Sequence, residues 1–118
     1  MKENVIVNKS YAFAVKLVKF CFELQDKKKE FVLSRQLLKS GTSIGANVEE
    51  AQGAISKAEF IAKVQIALKE AKETKYWLRL IKDADLFHND QLEQLLAECN
   101  EIIVILTSIL KTSKENKK

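Results

Sequence analysis

The chain runs for 118 residues without a proline, and its only glycines, Gly41, Gly45 and Gly53, fall within "LKSGTSIGANVEEAQGA", residues 38–54. Folds rich in sheets and loops draw on both residue types to turn the backbone. A chain that does without them over long spans is left with helices joined by short turns. Abundant Leu, Lys, Glu and Ala, all strong helix formers, agree with this.

Periodicity places the helices. Leu92, Leu95, Leu96, Cys99, Ile102, Ile103, Leu106, Ile109 and Leu110 recur at spacings of three and four, one face of a helix. Asn89 is placed to cap it. Upstream, "SKAE" (Ser56 to Glu59) has the form of a capping box, opening a helix that ends in the turn "DLFHND". Near the N-terminus, Tyr11, Ala14, Val15, Val18, Cys21 and Phe22 form one apolar face, and Phe13, Leu17, Phe20 and Leu24 a second. "DKKK" (Asp26 to Lys29) turns the chain after them. The reading is all-α: one domain over residues 1–118, with helices at about 8–25, 30–52, 57–85 and 90–112 and a basic tail at 113–118. Short turns favour an up-down-up-down four-helix bundle.

No aliphatic run approaches the length of a bilayer span, and "VIV" near the N-terminus is too brief for a signal-peptide core. The expectation is a cytoplasmic protein with no membrane association. Cys21 and Cys99 lie on apolar stripes with no CxxC and no histidine nearby, so they read as small buried hydrophobes rather than a disulfide or metal pair.

The glycine-rich run raises the question of a phosphate cradle. A Walker A loop needs GxxxxGK[ST], but Ala46 and Asn47 follow Gly45 and no lysine is present; no GxGxxG follows a strand. Leu37, Gly41, Ile44, Val48 and Ala51 instead share one helical face. Gly41 and Gly45, one turn apart, form a small-xxx-small pair suited to close helix packing, which offsets the roughly 1 kcal/mol each glycine costs a helix. The run packs.

Catalytic constellations are lacking as well. The single histidine, His88, falls in a turn, and a di-iron bundle would need two Glu-x-x-His motifs. Glu49 and Glu50 are adjacent and point apart. Tyr76 and Trp77 suit a core edge or a subunit interface better than a cofactor box. The expectation is no enzyme, no metal, no cofactor and no small-molecule substrate.

One stripe carries a functional signal. On the third helix Ile61, Val64 and Leu68 give way to Lys72, Lys75, Arg79 and Lys82 at spacings of 4, 3 and 4 and 3, about 15 Å of cationic face. Such a stripe can track a phosphate backbone. It equally suits solvation, or ion pairing with the segment from Asp83 to Glu101, which has six acids and no Lys or Arg. Lys16, Lys19 and the Lys27–Lys29 turn are further cations that could widen the patch. Net charge is +4. Apolar residues on several sides of the third helix (Phe60, Ala67, Leu78 and Ile81; Ile66, Trp77 and Leu80) exceed what one bundle seam needs, which points to a homo-oligomer.

The blocks SxxSIGANVEEA (Ser40–Ala51) and KEAxETxYWLRL (Lys69–Leu80), with "YAFAVKLVKF" before and "EIIVILTSILKTSKEN" after, closely resemble the four-helix-bundle family encoded in intervening sequences of bacterial 23S rRNA genes, often labelled ribosomal proteins. That family is similar to the accessory variability protein of diversity-generating retroelements. The resemblance implies a ring-like homopentamer of four-helix bundles, RNA association and no known catalysis. Function is therefore expected to be weak, backbone-directed binding of RNA or DNA through basic helical faces. The alternative is a protein-interaction scaffold that recruits a partner such as a polymerase without touching nucleic acid.

Overall fold

The computed structural model describes residues 2–115, with side chains from Val5 onward. Four helices follow one another: α1 (Lys2–Lys28), α2 (Val32–Gln52), α3 (Lys57–Asp83) and α4 (Asp90–Glu115). Each packs on its neighbour in sequence and α1 closes the ring against α4, while α1 and α3, and α2 and α4, sit on diagonals where their backbones do not approach closely. That is the arrangement of a four-helix bundle.

The helix ends differ from the periodicity in instructive ways. α1 begins at Lys2 rather than near residue 8, because Ile6 is already a core residue and the apolar repeat extends that far. α2 begins at Val32 rather than Glu30. The Glu30 carboxylate stays outside the helix and accepts from the backbone N–H of Val32, Leu33 and Ser34 at 3.0, 2.9 and 2.9 Å. It thereby satisfies three otherwise orphaned donors and places negative charge at the positive end of the dipole. Phe31, the formal cap residue, contributes no side-chain bond. α3 stops at Asp83 rather than residue 85, and α4 continues through Lys114 into the expected tail, of which residues 116–118 lie outside the described residues.

The turns use no glycine at their left-handed positions. Lys29 (φ 55°) ends α1 and Asp85 (φ 62°) follows α3. Ser56 accepts from the Glu59 N–H at 3.0 Å, and the Glu59 carboxylate reaches back to the Ile55 N–H at 2.8 Å. Asn89 accepts from the Gln91 N–H at 2.7 Å at the head of α4.

The core runs the length of the bundle through Phe13, Leu17, Phe20, Leu24, Leu37, Ile44, Leu78, Ile81, Leu95, Ile102 and Leu106, all essentially solvent-free. Between α2 and α3 one polar contact is buried: Thr74 Oγ1 and Ser40 Oγ lie 2.9 Å apart. Thr74 also bonds the Glu70 carbonyl at 2.7 Å.

Gly41 and Gly45 both lie buried on α2 facing α1, in unequal room. A Cβ on Gly41 would stand 2.6 and 2.7 Å from the Leu17 methyls, whereas one on Gly45 would meet Ser10 Oγ at 3.4 Å. The expected outcomes diverge. Gly41→Ala gains helix propensity but overpacks a sealed core, and it lowers stability by about 1 kcal/mol. Gly45→Ala fits the space and raises stability by up to about 1 kcal/mol. Urea denaturation followed by far-UV circular dichroism measures both, and equal shifts of the same sign would contradict the packing described.

Candidate nucleic-acid interface

At 3.6 residues per turn, Lys72, Lys75, Arg79 and Lys82 fall within about 80° of one another on α3. Glu59, Glu70 and Glu73 lie about 100° or more round the helix from Lys72. Asp83, the last helical residue, is the one acid of α3 on the cationic side. Lys72, Arg79 and Lys82 are exposed and Lys75 is half-buried beside α4, close enough for its charge to act on the Cys99 thiol.

The acidic helix takes up one member of this set. Lys82 Nζ contacts Glu93 Oε2 at 2.9 Å, and that carboxylate, through the hydrogen bond first and its charge second, holds the ammonium above its ordinary pKa. Lys72, Lys75 and Arg79 make no ion pair among the described residues. Two other acids of α4 turn to α1: Glu98 pairs with Lys16 and Glu101 with Lys9, each at 2.7 Å.

Those pairings settle which other cations stand near the stripe. Lys16 and Lys19 line a groove with Gln91, Gln94 and Leu95 between α1 and α4, on the far side of α4 from α3. Lys27–Lys29 belong to the end of α1, the helix diagonal to α3. Sequence could not place them, because helix adjacency is invisible to spacing along one helix. At the opposite end of α3, Lys57 and Lys114 face a shallow depression with Ala58 and Ile61.

Beside the stripe stands a feature that spacing alone did not isolate. Tyr76 is 52% exposed, while its neighbour Trp77 is half-buried against the core and donates its indole N–H to Glu73 at 3.2 Å. The two rings meet edge to face, with centroids 5.2 Å apart. Adjacent residues on a helix differ by about 100° in direction, and that signal separates the two aromatics.

The remaining chemistry-bearing groups are placed apart. His88 is exposed in the α3–α4 turn and contacts Asp85. Among the described residues no group of three or more His, Cys, Asp or Glu is arranged to hold a metal ion, and no helix is long and apolar enough to cross a membrane. Cys21 and Cys99 are free, buried thiols. Burial pushes each up to about 12, with Glu30 adding to the effect at Cys21 and Lys75 opposing it at Cys99. A thiol is reactive only as thiolate. Neither cysteine is therefore expected to react with Ellman's reagent in the native protein at mildly alkaline pH, and both react once the chain is unfolded in guanidinium. A rapid equivalent in the native state would refute this burial.

The comparisons with known proteins accord with this architecture. No curated protein matches the chain. A crystal structure at 1.70 Å resolution, described as a protein of unknown function from the S23 ribosomal protein family of Bacteroides thetaiotaomicron VPI-5482, is 49% identical and superposes with a TM-score of 0.90. The match covers 94% of this chain and 99% of that one. The sequence model of the 23S rRNA-intervening sequence protein matches residues 2–108, which takes in α1, α2 and α3 whole and α4 as far as Ser108. By that match, and by a fold shared along almost its full length with a relative nearly half identical, the chain belongs to the 23S rRNA-intervening sequence protein family.

Proposed function

We propose that the protein is a non-enzymatic, cytoplasmic homo-oligomer that binds RNA or DNA weakly through the cationic face of α3. The observation that carries this reading is the availability of Lys72, Lys75 and Arg79, which have no ion-pair partner among the described residues: an acidic helix lies alongside, yet three of its carboxylates engage Lys82, Lys16 and Lys9. Cations that nearby acids do not neutralise remain able to displace counterions from a phosphate backbone. One such face contributes modest affinity. Several copies in one assembly act together through effective concentration.

Assembly has its own support in exposed apolar surface. Val5 and Val104, 55% and 67% exposed, lie with Ile105 and Ile109 in a groove between α1 and α4, and Tyr11, Val15 and Phe22 form an exposed stripe on the outer side of α1. A second copy of the chain would cover such surface; the family resemblance implies five copies in a ring. The same groove favours the alternative reading, a scaffold whose apolar surface recruits a different protein.

Two experiments separate these readings. Lys75→Glu combined with Arg79→Glu is expected to weaken binding of a fluorescein-labelled RNA by about tenfold or more at low salt, and to flatten the log–log salt dependence by roughly 1.5–2 units. Fluorescence anisotropy reads both, and unchanged affinity in an intact oligomer would eliminate the α3 face. Val104→Lys is expected to reduce the assembly to smaller species in light scattering while helicity is retained. An unaltered mass would remove the α1–α4 groove from the self-interface.

A further inference from the structure

The geometry points to Tyr76 as a base-stacking position, which makes unpaired nucleic acid, rather than duplex, the preferred ligand of the α3 face. This inference rests on the nucleic-acid reading above and adds to it a ligand class. Tyr76 lies about 40° round the helix from Lys72 and about 60° from Arg79, one turn after the first and just under one turn before the second. Lys69, also exposed, lies about 20° from Tyr76, two turns earlier. Cations thus precede and follow the ring along the helix, while on its other side, about 60° away, the Glu73 carboxylate is held by the Trp77 indole N–H.

Exposure alone would not distinguish this tyrosine from the other apolar residues on the surface. Two features do. First, Trp77 holds it: the edge-to-face contact at 5.2 Å rests on an indole that is itself packed against the core and hydrogen-bonded, so the phenol is supported before any ligand arrives. Second, its charge surroundings suit a polyanion. Tyr11 and Phe22, the other exposed aromatics on a helix face, lie on α1 in line with Val15, a setting suited to an apolar partner. Phosphates on Lys72 and Arg79, with a base on the ring between them, is the pattern by which single strands are held without sequence readout. A duplex keeps its bases stacked inside and offers the ring nothing.

The test compares a fluorescein-labelled oligouridylate of about twelve nucleotides with an RNA duplex of the same phosphate count, at low salt, on the full-length protein. The wild type is expected to bind the single strand more tightly. Tyr76→Ala is expected to lose roughly five- to hundredfold on the single strand and little on the duplex, while Tyr76→Phe, which keeps the ring, retains the preference. Circular dichroism and light scattering verify that both variants keep the fold and the assembly. Equal binding of the two RNAs, unaffected by Tyr76→Ala, overturns the stacking assignment and leaves the basic face standing. Binding of neither RNA overturns both.

Discussion

The close approach of α1 and α2 at Gly41 is the constraint on which the rest of the bundle depends. Only a residue without a Cβ leaves the Leu17 methyls room where they sit, and Leu17 is sealed from solvent at the centre of the core. With α2 drawn against α1, its other buried positions, Ser40 and Ile44 among them, come to face the rest of the bundle. The helix-propensity cost of the glycine, about 1 kcal/mol, is set against packing of this kind. Two glycines of the run that resembles a phosphate loop in composition, Gly41 and Gly45, thus lie at packing positions, while Gly53 ends α2 at the surface.

Charge is distributed by the same helix order. α4 stands between α1 and α3 and carries acids on both flanks, so it neutralises Lys9 and Lys16 on one side and only Lys82 on the other. Exposed pairs of this kind add little to stability. Their larger effect is to divide the surface: α1 and α4 meet along a neutralised seam, whereas the upper reach of α3 stays cationic. Net charge alone would have suggested a diffuse positive bias.

Much of this was legible in the sequence. The 3.6-residue recurrence in α4, the Ser56–Glu59 box and Asn89 lay in plain view, because each depends on residues within one or two turns. The Glu30 cap was not, since a glutamate two residues ahead of the helix, followed by a phenylalanine, has no standard capping spacing. Nor was the start of α1 at Lys2, where the polar residues Asn8 and Lys9 interrupt the apolar pattern before Ile6 resumes it. The cations were visible as a stripe, but which of them the acids would engage depended on which helices became neighbours. Tyr76 and Trp77 read together as a core edge or interface, although the step of about 100° between them was there to separate the exposed ring from the half-buried one.

The buried hydroxyl pair of Ser40 and Thr74 bears on which bundles the chain avoids. Leucine-rich helices slide past one another with little change in energy, since one apolar side chain replaces another. Two hydroxyls sealed in hydrocarbon do not slide so freely: a shift of one turn between α2 and α3 breaks the bond between them, and although Thr74 keeps the Glu70 carbonyl and Ser40 the Leu37 carbonyl, the lost hydrogen bond costs about 0.5–1.5 kcal/mol. The contact at 2.9 Å thus acts as a key for longitudinal alignment. It bears on where Lys72, Tyr76 and Arg79, on the same helix as Thr74, stand relative to α2 along the molecule.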